Sequence, residues 1–277
     1  MTSRIRSLDG TMDEIAFLGS GSMAAAIVDG LIAKGACAPA GISCIGGSGS
    51  SGSALAKRTG IRLAHSLEDL LRGAATVVVA FKPQHLAGAD PKLATLTEHK
   101  LVISILAGKK VASLSSIFPR ARNIVRSMPN TPSRIGAGMT GWCSRAPLAL
   151  DDRRVIDQIF GAMGRSIELP EDQIDAYTAI CGSGPAYVFE FATALRDAGL
   201  AQGFDAVTAK LFAVETLLGA SKLMASQDLD PEALRAQVTS PNGVTAAGLR
   251  KMADGDFRGV VKSAVAAAKA RAEELSA

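Results

Sequence analysis

The sequence predicts an α/β protein in which a doubly wound, mainly parallel sheet is followed by an all-helical domain. Two observations support this prediction. Short apolar segments alternate with helical stretches up to about residue 169, which is typical of βαβ units, and only helical stretches follow. Hydrophobic residues make up 48% and charged residues 20% of the 277 residues, so the chain is globular and long enough to form two cores.

Six segments of the first part are predicted strands, and a helix is expected between the first two, over residues 22–34. Residues 76–81 are β-branched or apolar throughout, which indicates a strand buried on both faces of a parallel sheet. In chain order the predicted strands are residues 15–18, 42–45, 76–81, 101–105, 123–126 and 139–143.

Six helices are predicted in the second part, over residues 173–180, 184–198, 205–224, 231–238, 245–253 and 256–274. Residues 206–218 are apolar on nearly every side, so this helix must be covered on all its faces. A domain of this size can barely do so, and we therefore expect another chain to cover the helix. Burial of the helix inside its own domain is the alternative.

Charge and cysteine usage exclude several classes of protein. The net charge of +4 is spread without a Lys/Arg cluster, which argues against nucleic-acid binding. No apolar run reaches the length of about 18 residues that indicates a membrane span. The four cysteines show no metal-binding or disulfide spacing, so we expect no metal site and a cytoplasmic location. Residues 1–12 lack an apolar segment and are expected to be a flexible extension, not a signal peptide.

A glycine motif follows the first predicted strand directly and opens the first helix. Gly19, Gly21 and Ala24 form the pattern G-x-G-x-x-A. Here Gly19 allows a tight turn, Gly21 lets the backbone approach a pyrophosphate, and Ala24 permits close helix–strand packing. The sequence therefore predicts a Rossmann-type dinucleotide-binding domain over residues 13–169 and a helical domain over residues 170–277. The candidate cofactor-binding residues of this motif are Leu18, Gly19, Ser20, Gly21, Ser22, Met23 and Ala24.

The region after the second predicted strand favours NADPH over NADH. An NAD site usually has an acidic residue there for the ribose 2′-hydroxyl, but residues 30–67 contain no Asp or Glu. A Gly/Ser tract with Gly47 and Ser48 stands in its place, followed by the cations Lys57 and Arg58, and together they suit a 2′-phosphate. NADH stays an alternative, and the tract can also be a flexible loop.

Two further loops follow predicted strands. In doubly wound sheets ligands bind beyond the carboxyl ends of the strands, so both loops are expected to line the cofactor crevice. Their candidate residues are Ala80, Phe81, Lys82 and Pro83 in the first loop and Ile105 and Ala107 in the second. Lys82 can neutralise a phosphate or the substrate, or it can be a solvated strand end.

A turn near the C-terminus is a candidate anion site. Thr239, Ser240, Asn242 and Thr245 lie just before or at the start of a predicted helix. Such a turn places hydroxyls and free backbone N–H groups at the positive end of the helix dipole, where a small carboxylate or phosphate can bind. The alternative is an ordinary Asx-turn with an N-cap, which the same residue types form.

Five segments of the chain occur in the order found in pyrroline-5-carboxylate reductases, and the sequence resembles that family over residues 14–275. The segments are residues 19–24, Phe-Lys-Pro-Gln at 81–84, Ser-Met-Pro-Asn-Thr-Pro at 127–132, Cys-Gly-Ser-Gly-Pro-Ala-Tyr at 181–187 and the turn at 239–245. The resemblance implies NADPH-dependent reduction of 1-pyrroline-5-carboxylate to L-proline by hydride transfer to the cyclic imine. It also implies a helical domain that interlocks with a second subunit as a homodimer, with a decamer as the larger assembly.

The resemblance also assigns roles to single residues. Thr245 matches a threonine close to the imine nitrogen and is the candidate catalytic residue, for polarisation of the substrate or proton relay. The candidate substrate-binding residues are Ser240, Asn242, Gly243, Val244 and Asp228. Asn130, between two prolines, is expected to help shape the nicotinamide pocket in a rigid turn, for which a cis peptide bond is one option.

Some positions depart from the family pattern. Many members have Gly-Gly-Thr-Thr at residues 242–245, so Asn242 and Val244 are unusual and one hydroxyl is missing. Asn adopts positive φ more readily than most residues, so we expect the turn to survive. Cys181 replaces a common serine, which is a nearly isosteric change, and hydride transfer needs no nucleophile at this position.

Two other kinds of protein stay open. A related imine oxidoreductase, or a β-hydroxyacid dehydrogenase of the 6-phosphogluconate type, would have a similar architecture. The latter uses a lysine early in its second domain, but no lysine occurs between Lys110 and Lys210. A dinucleotide-binding homologue without catalysis is the second alternative, and the changes at Asn242 and Val244 leave room for it.

Overall fold

A computed structural model describes residues 14–47 and 49–276. The predicted extension at residues 1–12 and the candidate Ser48 lie outside the described residues. The strands are β1 (Ile15–Leu18), β2 (Ile42–Ile45), β3 (Arg62–Leu63), β4 (Thr76–Val79), β5 (Leu101–Ser104), β6 (Asn123–Pro129), β7 (Gly138–Ser144) and β8 (Gly164–Glu168). They form one sheet in the order β3-β2-β1-β4-β5-β6-β7-β8. Neighbouring strands are parallel except β6 and β7, which are antiparallel.

Helices connect these strands and cover the sheet. They are α1 (Ser22–Ala33), α2 (Ser51–Thr59), α3 (Leu67–Leu71), α4 (Leu93–Leu96), α5 (Val111–Ile117) and α6 (Leu150–Met163). Alternate residues of β1 enter two different apolar clusters, with Ile15 and Phe17 on one face and Ala16 and Leu18 on the other. Because successive side chains of a strand point to opposite faces, a strand buried on both sides must be apolar throughout.

All six predicted strands are confirmed, with shifts of a few residues at their ends. The predicted strand at residues 76–81 ends at Val79, and the one at residues 123–126 continues to Pro129. The sequence did not predict β3, which has two residues, or β8, whose residues are mostly exposed and polar. An exposed edge strand lacks the apolar pattern from which a strand is predicted.

The Gly/Ser tract is only partly a loop. Helix α2 begins at Ser51, inside the tract, and its last turn ends at Gly60, which has a left-handed φ of 78°. The interpretation of the whole tract as a flexible loop is therefore wrong for its last residues. The first residue of α2 lies next to the glycine motif, because the Ser51 and Ser20 hydroxyl oxygens are 2.8 Å apart.

The remaining elements are helices, as predicted: α7 (Ile174–Tyr177), α8 (Gly184–Ala201), α9 (Ala206–Ser226), α10 (Pro231–Gln237), α11 (Val244–Asp254) and α12 (Phe257–Ser276). The predicted helix at residues 173–180 is the exception. It is replaced by α7 and a π-helical turn at Thr178–Gly182. The side-chain amide of Asn130 donates to the Cys181 carbonyl in this turn at 3.0 Å.

The chain packs as two compact units. The first comprises the residues up to Gly182 together with those from Lys269 onward, and the second comprises Ser183–Ala268. The division predicted at residue 169 differs, because α7 packs with the sheet: Tyr177 donates its hydroxyl to the Met139 carbonyl at 2.6 Å. A functional division at residue 169 stays a prediction.

The second unit buries very little of its own surface. Among its described residues only Ala209, Ala213 and Leu234 are buried. On α9, Val207 is 78% and Leu211 is 54% exposed. The alternative that this helix is buried inside its own domain is therefore wrong. None of the helices in the described part of the chain is long and apolar enough to cross a membrane.

Candidate functional site

The loops after β1, β4 and β5 lie side by side at the carboxyl edge of the sheet. Backbone hydrogen bonds join them to neighbouring strands: Gly19 N–H to Ile45 O at 3.1 Å, Ala80 N–H to Leu18 O at 2.9 Å, and Ile105 N–H to Val79 O at 3.1 Å. The structure thus brings the candidates from three separate segments of the sequence to one edge. In open parallel sheets this is the edge at which ligands bind.

The tight turn predicted at Gly19 is present. Gly19 has a φ of 117°, which side chains disfavour, and a Cβ there would lie 2.7 Å from the Ala80 carbonyl carbon and the Phe81 nitrogen. Ala24 is 1% exposed and lies in the apolar cluster on one face of the sheet. A side chain at residue 19 would therefore clash with the end of β4, as the predicted tight turn implies, and the burial of Ala24 agrees with the predicted close packing of helix and strand.

The space in front of Gly21 is open. A Cβ on Gly21 would meet no described atom within 4 Å. Gly21 is the N-cap of α1, and no side chain caps this helix end. The first backbone N–H groups of a twelve-residue helix are therefore free to bind an anion, so this end of the chain fits a pyrophosphate. Ser22 and Met23, the next two candidates, form the first turn of this helix.

A cavity of about 300 Å³ lies at the same edge of the sheet. Its lining consists of apolar and glycine residues with a few polar ones: Leu18, Gly19, Ile45, Gly46, Gly47, Leu67, Phe81, His85, Gly88, Ala89, Asp90 and Leu93. Such a cavity can hold a planar aromatic ring. The sequence did not single out Ile45, Gly46 or Leu67. Their positions at the end of β2, just after β2 and at the start of α3 are the signal that could have found them.

The cations after the Gly/Ser tract are not equally available. Arg58 makes a two-point ion pair with Asp29, with Nη1–Oδ1 2.7 Å and Nη2–Oδ2 3.0 Å. Arg58 thus already has a carboxylate partner at an exposed site, and its expected contribution to a 2′-phosphate site stays a prediction. The sequence alone could not show the pair, because Asp29 lies on α1, 29 residues away. Lys57 is exposed, as are Lys82 and Ala107 in the neighbouring loops. Pro83 is half-buried at the start of a 3-10 turn.

Asn130 has a structural role. Its Nδ2 donates to Cys181 O at 3.0 Å, and its Oδ1 accepts from Met139 N–H at 3.0 Å. It thus joins the end of β6, the start of β7 and the π-helical turn. All peptide bonds of the described residues are trans, so the cis bond considered for this segment is absent.

Burial raises several pKa values near this segment. The pKa of Cys143 rises to about 11, because the thiol is buried and Glu171 disfavours the thiolate. Burial also raises the pKa of Tyr177 well above its ordinary value, with a further contribution from Cys181, whose own pKa burial raises. These groups stay neutral at physiological pH. Cys181 therefore lacks the lowered pKa of a reactive thiol, as expected for a reaction without a nucleophile.

The turn before α11 has the form of an anion site. Gly243, and not Asn242 or Ser240, is the N-cap of this helix, and no side chain caps it. Asn242 adopts a φ of 57°, so the turn survives the replacement of glycine as expected. The Ser240 and Thr245 side chains are exposed, and the Ser240 carbonyl accepts the Gly243 N–H at 3.1 Å. The alternative of an Asx-turn with a side-chain N-cap is not realised in this structure.

Three other residues of the second unit offer fewer free polar groups to a ligand in this turn. Val244 is 93% exposed at the first position of α11. Asp228 is exposed in the linker between α9 and α10, and among the described residues no hydrogen bond joins it to the turn. Thr239 donates its hydroxyl to Arg235 O at 2.6 Å, so this hydroxyl is already used. A groove of about 910 Å³ between α10, α11 and the start of α12 lies beside the turn.

The fold and the site together are those of an oxidoreductase with a Rossmann-type domain. One unit contains the dinucleotide-binding sheet, and in the helical unit α11 begins without a side-chain cap. Two family models match: pyrroline-5-carboxylate reductase dimerisation over residues 171–275, and NADP oxidoreductase, coenzyme F420-dependent, over residues 14–108. The pyrroline-5-carboxylate reductase of Pseudomonas aeruginosa is 36% identical over 264 residues, which cover 95% of this chain and 96% of that protein.

Solved structures agree with this similarity. That of a pyrroline-5-carboxylate reductase from Coxiella burnetii has a TM-score of 0.90 and 33% identity, covering 96% of this chain and 99% of that one. The Plasmodium falciparum enzyme, with NADP bound, has a TM-score of 0.81 and 29% identity, covering 96% and 98%. The chain belongs to the pyrroline-5-carboxylate reductase family.

Proposed function

We infer that this protein reduces 1-pyrroline-5-carboxylate to L-proline, the last step of proline biosynthesis, with NADPH as the reductant. The observation that carries the inference is the similarity to pyrroline-5-carboxylate reductases over 95% of the chain, which includes both the glycine motif and the turn before α11. A related imine or β-hydroxyacid oxidoreductase fits less well, because the similarity to this one family covers both units of the chain.

The first unit would hold NADPH, which supplies the hydride for the reaction. The open N-terminus of α1 at Gly21 suits the pyrophosphate, and the cavity beside Phe81 suits the adenine ring. Gly47 and the start of α2 lie where the 2′-phosphate is expected, and no carboxylate in residues 46–58 would repel it. Ile105 and Ala107 would lie along the nicotinamide ribose, with the segment around Asn130 behind the ring.

The second unit would hold the substrate through the turn before α11. The Ser240 hydroxyl and the N–H groups of the first turn of α11, beginning with Val244, would bind the carboxylate beside Asn242 and Gly243, whereas the Gly243 N–H already donates to the Ser240 carbonyl. Thr245 would hydrogen-bond near the imine nitrogen, which must be protonated to accept the electron pair of the C=N bond as the hydride reaches the carbon. Most of the rate enhancement would come from positioning the imine carbon and from these preorganised donors. Asp228 stays a weaker candidate for substrate contact.

The protein would work as a homodimer. The large apolar residues left exposed on α8 and α9 form a surface that a single chain does not cover, and they include Val188, Phe189, Phe191, Val207, Leu211, Phe212, Val214 and Leu218. The match to a dimerisation family over residues 171–275 supports a second copy as the partner. A decameric ring and a cytoplasmic location, the latter predicted from cysteine usage, are further proposals.

Steady-state kinetics with purified protein test the function. We expect NADPH oxidation that depends on 1-pyrroline-5-carboxylate, L-proline as the product by mass spectrometry, and a higher kcat/KM with NADPH than with NADH. The Pseudomonas aeruginosa relative serves as the positive control. Binding of NADPH without turnover would favour a non-catalytic homologue, and turnover of a β-hydroxyacid in place of the imine would favour the dehydrogenase alternative.

A further inference from the structure

A buried arginine lies behind the loop that follows β5. Arg126 on β6 has a side chain that is 3% exposed, and its Nη2 lies 2.6 Å from Asp175 Oδ1 while its Nη1 lies 3.3 Å from Glu171 Oε1. A buried guanidinium needs such partners, since an unpaired buried charge is strongly unfavourable. Because both carboxylates already engage it and solvent does not reach it, Arg126 is not available to a ligand.

The two carboxylates that pair with Arg126 also accept hydrogen bonds from two other segments of the first unit. Glu171 Oε1 accepts the Val111 N–H at 2.7 Å, so a carboxylate caps the start of α5. Asp175 Oδ1 accepts the hydroxyl of Ser276, near the end of α12, at 3.0 Å. Ser276 is 4% exposed, so this last turn of the chain is packed against the first unit.

The same two segments flank the loop at residues 105–110. Gly108 has a φ of 67°, and a Cβ there would lie 2.9 Å from the Leu275 carbonyl oxygen. At the start of the loop, Leu106 N–H donates to Ser104 Oγ at 3.2 Å. The loop is therefore held at its start by β5, at its middle by the end of α12, and at its end by Glu171. Ala107 is left exposed between these points.

We propose that the cluster of Arg126, Glu171, Asp175 and Ser276 positions the loop at residues 105–110 for NADPH binding. The last turn of α12 thereby takes part in cofactor binding without touching the cofactor. The proposal rests on the proposed function, because that function places this loop along the nicotinamide ribose. Arg126 and its partners are positioning residues, since they act through the loop and lie behind it.

Ser276→Ala and Glu171→Ala test the proposal, with Glu274→Gln as the matched control. Glu274 lies in the same last turn and pairs with Arg271 at 2.6 Å at an exposed site. Hydrogen–deuterium exchange of the protein without cofactor is the first readout. We expect both alanine variants to speed the exchange of the Val111 amide and of residues 105–110 by at least about fivefold, while the strand amides of β4 keep their rates. Glu171→Gln, which keeps an acceptor oxygen, is expected to restore part of the protection.

Kinetics provide the second readout. We expect the KM for NADPH to rise by about five- to tenfold in both alanine variants, while kcat and the KM for the imine change by less than about twofold. Unchanged loop exchange, uniformly faster exchange of the whole unit, or an unchanged KM for NADPH overturns the proposal. If the wild-type protein shows no imine reduction, the proposed function fails, while the exchange data and an NADPH fluorescence titration still decide the role of the cluster.

Discussion

The two units of this protein bury their apolar residues in different ways. The first unit covers both faces of its sheet, and β1, β4 and β5 are wholly buried. The second unit has three buried residues in its described part and exposes large apolar side chains along α8 and α9. The comparison shows that the sheet unit encloses its apolar residues by itself, whereas the described helical unit leaves most of its own exposed, which is the surface to which we assign the proposed dimer contact.

The largest expected effect comes from a charge on the uncovered face of α9. We expect Leu211→Asp to weaken the dimer by at least about a hundredfold, because the carboxylate would be buried without a partner in the interface. Imine reduction should be lost along with the dimer. Sedimentation velocity over a range of concentrations measures the association.

Leu150→Asp is the control in the first unit. Leu150 is 79% exposed at the first position of α6, where an aspartate is favourable. We expect this variant to keep the dimer. If Leu150→Asp dissociates the protein and Leu211→Asp does not, the difference drawn between the two units is wrong.

A smaller effect is expected at the turn before α11. Thr245→Ala should lower kcat by on the order of a hundredfold, because a donor close to the reacting nitrogen is removed, and should leave the Kd for NADPH unchanged. Stopped-flow single-turnover rates and fluorescence titration separate the two quantities. Thr239→Ala is the control, since the Thr239 hydroxyl is held by the Arg235 carbonyl. Equal rates for Thr245→Ala and the wild type would contradict the role of Thr245.

The smallest of the three effects is expected in the first unit. Gly21→Ala should lower the melting temperature by no more than about a few degrees, because a Cβ there meets no described atom within 4 Å and only the N-cap preference for glycine over alanine is lost. It should raise the Kd for NADPH by about tenfold, because the methyl group would occupy the approach to the pyrophosphate. Calorimetry measures both values. Gly161→Ala, whose Cβ is also unobstructed, is the control for a simple loss of glycine. Tight NADPH binding by Gly21→Ala would mean that the cofactor does not approach this backbone.

Much of the fold could be predicted because its signals are local. The apolar strands, the glycine motif and five of the six later helices follow from residue patterns within one element. The weak edge strands β3 and β8 were missed, because pairing with a neighbour, and not their own residues, makes them strands. The helix predicted at residues 173–180 was partly wrong: α7 ends at Tyr177 and a π-helical turn follows, in which a side chain 51 residues earlier in the sequence bonds the Cys181 carbonyl.

The candidate site likewise has features with a local signal in the sequence and features that depend on contacts between distant residues. By itself the sequence determined the turn at Gly19, since few residue types adopt its φ of 117°, and the start of α1 directly after it. The sequence left open whether a side chain caps α11, and the structure decided that none does. Only the tertiary structure decided that Arg58 is paired with Asp29, that Asn130 is structural, and that Ser276 reaches Asp175. These contacts join residues 29, 51 and 101 positions apart, and such distances in sequence carry no local pattern from which a contact could be predicted.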